Sequence, residues 1–192
     1  NKNFLTLDDT KISNEFKSNG YVIKNVADTK SLDYIQSQFI KLVKKNYKFE
    51  KNYNNEKILN FFHKKIKKNQ LNDFRLKILN QINKDENCRY NYFKVSKPYL
   101  EAIVGNELVM QKKINLSIQL PEDQDSLLAV HSDVWSGDSP FEVVVWLPLV
   151  NCFRTKSMYI LPANLVNQFN KKISKKNYQN IEKVFKLIEK KI

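Results

Sequence analysis

The hydrophobic pattern of this chain changes its period near residue 107, and that change constrains the fold more than any other feature. Before it, apolar residues recur at helical spacing, whereas residues 109–120 alternate between apolar and polar side chains, with Lys112 as the exception. A 3.6-residue period indicates helices, and a period of two indicates strands with one buried face. Helices first and short strands later predict an α+β fold, in which helices buttress an antiparallel sheet or barrel.

Spacing and end signals define the individual elements. Asp28 or Thr29 suits a helix start, and Gly20 and Gly105 suit helix ends. Helices are predicted over 8–16, 29–47 and 99–104, with two more between 56 and 84 and a last one over 178–192. Strands are predicted over 21–26, 109–120, 127–131, 141–149 and 157–161.

The chain is expected to form a single domain over residues 1–192. Residues 1–106 form its mainly helical part, residues 107–162 its barrel strands, and residues 163–192 a helical insertion or tail. The tail helix needs a partner surface for its apolar face, which could be the barrel or a second copy of the chain in a homodimer.

The net charge of +13 comes from 33 Lys and Arg against 20 Asp and Glu. Only Arg75, Arg89 and Arg154 are arginines, whereas nucleic-acid surfaces usually rely on Arg. We therefore attribute the charge to a general Lys bias and do not expect a nucleic-acid partner. Binding of nucleic acid through the Lys runs at 64–68 and 171–176 is kept as an alternative, although such runs are usually solvated faces.

Other sequence features bear on the location of the protein. No stretch approaches the ~20 apolar residues of a membrane span, and no secretory signal is recognisable. Cys88 and Cys152 are far apart and do not form a disulfide framework. We expect a cytoplasmic protein that has no membrane partner.

The tripeptide His131-Ser132-Asp133 is the sharpest local feature. On an extended backbone, His131 and Asp133 project to the same face, with Cα atoms about 6–7 Å apart. One imidazole and one carboxylate are two thirds of the facial triad of non-haem Fe(II) oxygenases. The alternative is a surface His–Asp hydrogen bond at a strand end.

Several segments around this tripeptide share an order and spacing with a known superfamily. They are Gly20–Ile23, Gln111-x-Lys113-x-Asn115-Leu116, His131-Ser132-Asp133 with Trp135, Val143–Leu149 and Ser157–Pro162. Together they resemble the phytanoyl-CoA dioxygenase superfamily of Fe(II)- and 2-oxoglutarate-dependent oxygenases. Within it, the chain is most similar to oxygenases of carbohydrate and aminoglycoside (streptomycin-type) biosynthetic clusters. The resemblance implies a double-stranded β-helix, a cupin-like jelly roll.

The resemblance also implies roles for individual residues. His131 and Asp133 would bind Fe(II), and the substrate would be a sugar or another polar small molecule that is hydroxylated. The implied cosubstrate and substrate contacts are Asn115, Ser117 and Gln119 for 2-oxoglutarate, and Gln111, Lys113 and Trp135 for the substrate. The alternatives are that the polar row simply faces water and that Trp135 packs as an ordinary loop aromatic.

One part of the family pattern has no counterpart in this chain. No histidine follows Asp133, and His63 is predicted to lie on a helix face away from the metal. In that family a second, distal His completes the iron site, and an Arg about ten residues later pairs with the far carboxylate of 2-oxoglutarate. The resemblance therefore implies either that this His and Arg follow residue 192, which leaves the barrel incomplete here, or a different function. That alternative function is a catalytically inactive member of the same fold that serves as a binding protein.

Overall fold

The computed structural model describes residues 4–121 and 131–166, apart from the side chains of Trp135, Ser136 and Thr155. The chain divides into two compact units. Of the described residues, 24–121 and 145–157 form the helical unit, and 4–23, 131–144 and 158–166 form the terminal unit.

The terminal unit contains α1 (Leu7–Asn19), as the sequence predicts. Thr6 and Asp9 form a capping box at its start, where Asp9 N–H donates to Thr6 Oγ1 at 3.1 Å. Gly20 ends the helix with a φ of 81°, a left-handed conformation that glycine adopts without strain. None of the residues of α1 is buried. In the same unit, residues 163–166 are helical.

The helical unit begins with α2 (Thr29–Asn46), which Asp28 caps by accepting a hydrogen bond from Ser31 N–H. The helices that follow in chain order are α3 (Asn55–Phe61), α4 (Leu71–Ile82), α5 (Glu86–Lys94) and α6 (Lys97–Val104). Short 3-10 turns lie at Phe62–Lys65, Lys68–Gln70 and Arg154–Lys156.

The core of the helical unit lies among α2, α3 and α4. Its central side chains include Val43, Ile58 and Ile78, none of which has any exposed surface. Phe62 packs edge-on against Phe39 and also lies close to Phe74, with ring centroids 5.5 and 6.0 Å apart respectively. The helical spacing of apolar residues predicts one buried face on each helix. The buried residues lie on these faces: Ile35, Phe39 and Val43 of α2, and Leu71, Phe74, Ile78 and Ile82 of α4.

The predicted α+β fold with a jelly-roll barrel is wrong. No β-strand occurs in residues 4–121 or 131–166, and the regular structure there is helical. Residues 109–120 are extended, but helix side chains take the place of a neighbouring strand as hydrogen-bond partners. Asn83 bonds both the N–H and the C=O of Ile114, and Arg75 donates to the Ile118 carbonyl.

The segments 21–26, 141–149 and 157–161 were also expected as strands, and they too form no ladder. In the helical unit, Gln36 Nε2 donates to the Leu149 carbonyl at 3.0 Å, and the Tyr92 hydroxyl donates to the Val145 carbonyl. Residues 127–130 of another predicted strand, and the predicted helix over 178–192, lie outside the described residues.

Helix α5 occupies a stretch for which no element was predicted. Only Cys88 within it is buried, so its hydrophobic spacing gives a weak signal. The signal that sequence reasoning overlooked is Asp85, an N-cap whose side chain accepts from Asn87 N–H at 3.0 Å. Among the described helices, none combines the length and apolar character needed to cross a bilayer.

Candidate metal-binding pair

His131 and Asp133 lie together at the start of a loop in the terminal unit. Ser132 between them is extended, with φ −127° and ψ 133°, and a 3-10 turn then runs over Asp133–Ser136. His131 Nε2 and Asp133 Oδ1 are 3.5 Å apart, and the side chains are 43% and 47% exposed. The pair is thus open to a solute.

Backbone hydrogen bonds close the loop that follows the pair. Asp138 N–H donates to the Asp133 carbonyl at 3.2 Å, and Gly137 N–H donates to Val134 at 3.3 Å. Gly137 has a φ of 101°, a left-handed conformation that residues other than glycine rarely adopt. This turn fixes the backbone of Asp133 directly.

The distance between the two donor atoms decides whether they can bind one divalent metal ion. Two ligand atoms at about 2.1 Å from one ion lie roughly 3.0–3.4 Å apart in octahedral or tetrahedral geometry. The 3.5 Å separation is close to that range, so the pair fits as two ligands of one ion. Within the described residues, no group of three or more His, Cys, Asp or Glu side chains is arranged to hold a metal.

The residues predicted to contact cosubstrate and substrate lie mainly in the helical unit. Gln111, Lys113, Asn115, Ser117 and Gln119 are all exposed. The intervening Ile118 is buried, and Leu116 and Leu120 pack against the core of that unit. The alternation therefore predicted correctly which side of the segment is polar.

Trp135 and His63 complete the residues that the sequence singled out. The backbone of Trp135 lies in the Asp133–Ser136 turn, and its side chain is outside the described part. His63 lies in the 3-10 turn Phe62–Lys65 of the helical unit. Burial lowers the pKa of His63, and the positive charges of Lys64 and Lys156 lower it further.

The terminal unit also has a shallow cavity of about 200 Å³ between the end of α1 and residues 160–166. Its lining is mostly apolar and includes Tyr21, Leu161 and Val166. Neither His131 nor Asp133 lines it, so the cavity is separate from the metal-binding pair.

Sequence reasoning missed a cluster of polar side chains between α2 and α5. The buried Ser31 Oγ lies 2.8 Å from Asn91 Oδ1, and Tyr34 donates to Asp85 at 2.8 Å. Burial and the hydrogen bond to Asp85 raise the pKa of the Cys88 thiol to about 12, which makes it a poor nucleophile. The cluster is therefore a structural contact between two helices.

Comparison with known proteins found no matching family model, no matching curated protein and no matching solved structure.

Proposed function

We propose that this chain is an Fe(II)- and 2-oxoglutarate-dependent oxygenase of the hydroxylase type. Its substrate would be a sugar or another polar small molecule in a biosynthetic pathway. The observation that carries the proposal is the 3.5 Å separation of His131 Nε2 and Asp133 Oδ1 at an open loop. The order of the sequence motifs around this pair supports it as well.

The proposal assigns His131 and Asp133 the task of holding iron. An imidazole nitrogen and a carboxylate oxygen suit Fe(II), and two protein ligands leave positions for further ligands, including 2-oxoglutarate. When bound, iron and 2-oxoglutarate would supply the oxidising chemistry, and the protein would supply ligand placement and substrate orientation. Free thiols at Cys88 and Cys152 suit a reducing compartment, so we place the reaction in the cytoplasm.

An anaerobic Fe(II) titration tests the metal pair. We expect His131→Ala and Asp133→Asn to weaken Fe(II) binding roughly tenfold or more, since even the loss of an outer-shell partner costs about that much. His63→Ala is the matched control, because it removes the chain's other histidine from a different unit. Equal binding by the wild type and His131→Ala would contradict the proposal.

A second measurement separates the oxygenase from a binding protein. The iron-loaded wild type should bind 2-oxoglutarate under anaerobic conditions and form succinate once oxygen and a panel of sugars are added. Iron binding without 2-oxoglutarate binding would favour the non-catalytic alternative and would refute the oxygenase.

A further inference from the structure

Two cation–aromatic pairs lie close together on the helical unit. Lys64 Nζ is 4.9 Å from the ring centroid of Phe61, and Lys156 Nζ is 5.3 Å from that of Phe153. His63 is near enough to both lysines for their positive charges to lower its pKa. We call these residues (Phe61, His63, Lys64, Phe153 and Lys156) the cation–aromatic surface.

A hydrogen bond joins the two halves of this surface. Lys156 Nζ donates to Asn60 Oδ1 at 3.2 Å, which ties the turn Arg154–Lys156 to the end of α3. Within that turn Arg154 has a φ of 51°, a conformation that a side chain other than glycine rarely adopts. Such backbone conformations occur preferentially at functional sites and ligand clamps.

Neither phenylalanine is buried in the core of the helical unit. Phe61 is 40% exposed and Phe153 is 57% exposed. His63 adds an aromatic ring whose centroid is 6.4 Å from that of Phe61. The surface therefore offers several aromatic rings and two ammonium groups to a solute.

A third cation–aromatic pair, formed by Lys94 and Tyr90, differs from these two because its lysine also pairs with a carboxylate. Lys94 lies 5.7 Å from the ring of Tyr90, but its ammonium group also forms a 2.7 Å ion pair with Asp28. In that pair a carboxylate balances the positive charge. No carboxylate of the described residues lies within ion-pair distance of Lys64 or Lys156. Their charge is available to an anion.

We propose that the cation–aromatic surface binds single-stranded nucleic acid. Exposed rings stack on unpaired bases while neighbouring ammonium groups contact the phosphates, which is how proteins bind single strands without sequence preference. In a duplex the bases stack on one another and are not presented to such rings. Lys65 and Lys67, both exposed, extend the positive charge along the chain from Lys64.

This proposal rests on more than the positive charge of the sequence. It is independent of the proposed oxygenase activity. A Lys-rich composition alone does not distinguish a binding surface from a solvated one. The added observation is that the hydrogen bond from Lys156 to Asn60 brings the Phe153–Lys156 pair next to the segment that carries Phe61, His63 and Lys64. The two segments, residues 60–64 and 153–156, are about ninety positions apart in sequence.

Fluorescence anisotropy with two labelled strands of equal length tests the proposal. One is oligo(dT), and the other is an abasic strand with the same phosphates and no bases. The wild type should bind oligo(dT) at least about 5-fold more tightly than the abasic strand, because each stacked base contributes that much or more. Phe61→Leu/Phe153→Leu should lose this preference and still bind the abasic strand like the wild type.

A salt titration tests the phosphate contacts. Because each phosphate contact with a single strand contributes about 0.7 to the slope of log affinity against log salt, Lys64→Gln/Lys156→Gln should reduce the slope by about 1.4. Lys77→Gln is the matched control, since Lys77 also donates to an asparagine, Asn46, at 2.5 Å, and forms no cation–aromatic pair in the described structure.

Three results with the single strands would overturn the proposal. They are no binding of oligo(dT) at ~50 mM salt, equal binding of oligo(dT) and the abasic strand by the wild type, and an unchanged preference in the double Phe variant. Tighter binding of a duplex of the same sequence would also overturn it. Circular dichroism and a urea titration of each variant confirm that any loss is not due to unfolding.

Discussion

At the scale of single residues, Asp28 has two partners, of which the sequence predicts one. Its position before α2 predicts an N-cap, and its side chain does accept from Ser31 N–H at 3.1 Å. The second partner, Lys94, is 66 positions away in α5 and pairs with it at 2.7 Å. Local spacing predicts the cap because cap and helix are adjacent, whereas the ion pair depends on how α2 and α5 pack.

The Asp28 carboxylate should make stability depend on pH in a defined window. The hydrogen bond from Lys94, together with that from Ser31 N–H, lowers the pKa of Asp28 from 3.8 to about 2. Because the folded-state pKa is the lower one, the stabilisation is complete above about pH 4 and is lost as the pH falls through about 2. In urea titrations between pH 5 and 2, Asp28→Asn should therefore lose less stability than the wild type.

Asp8→Asn is the control for this experiment. The Asp8 side chain is 86% exposed and meets Lys11 at 3.5 Å, an exposed pair of the kind that contributes little. Parallel stability curves for the wild type and Asp28→Asn over this pH range would contradict the assignment.

At the scale of elements, residues 109–120 show what hydrophobic periodicity can and cannot predict. Alternation predicted which side chains face the core, and Ile118 is indeed buried. It did not predict the partners of the backbone, because an extended segment can satisfy its N–H and C=O groups with side chains as well as with a strand. Here Arg75 of α4 and Asn83, the residue that follows α4, are such partners.

Replacing Asn83 should show how much this side-chain pairing contributes. Its amide accepts from Ile114 N–H at 2.7 Å and donates to the Ile114 carbonyl at 3.0 Å. Asn83→Leu leaves both groups without these partners, so we expect a loss of about 1–3 kcal/mol in the free energy of unfolding. Urea titration measures the loss, and hydrogen exchange should speed up around residue 114.

Asn80→Leu is the matched control for that prediction. It introduces the same side chain at an exposed position of α4, where we expect little change in stability. If Asn83→Leu and Asn80→Leu are equally stable, the side-chain pairing at Ile114 does not hold the extended segment in place.

The candidate site shows the same limit of sequence reasoning. The tripeptide His131-Ser132-Asp133 places its two donor side chains close together through local geometry alone, and their proximity could be predicted. The cation–aromatic surface could not, because Lys156 reaches Asn60 only through the packing of the helical unit. The local signals of it were the i, i+3 spacings of Phe61 with Lys64 and of Phe153 with Lys156.

At the scale of the whole molecule, the buried apolar side chains are concentrated in the helical unit. The core cluster consists of residues from α2, α3, α4, α5 and the segments beside them, while α1 of the terminal unit buries none of its residues. The sequence predicted α1 correctly from its spacing and its glycine end. Spacing could not show whether its apolar residues would find a partner surface, since that depends on the rest of the fold.

Hydrogen exchange should therefore separate two helices of nearly equal length. Helix α1 has 13 residues and α4 has 12, but α4 buries Leu71, Phe74, Ile78 and Ile82. A helix this short is marginal in water without packing, and the apolar Ile12 and Phe16 of α1 are only partly buried. We expect the amides of α1 to exchange at least about tenfold faster than those of α4 under native conditions, as measured by mass spectrometry of peptic peptides.

Ile78→Ala makes this comparison specific to packing. Ile78 is completely buried, and truncating such a side chain costs about 2–5 kcal/mol. The substitution should speed up exchange in α4 and leave α1 as it was, because α1 lies in the terminal unit and contributes no residue to the core around Ile78. Equal protection of α1 and α4 in the wild type would show instead that α1 is packed as firmly as the helices around Ile78.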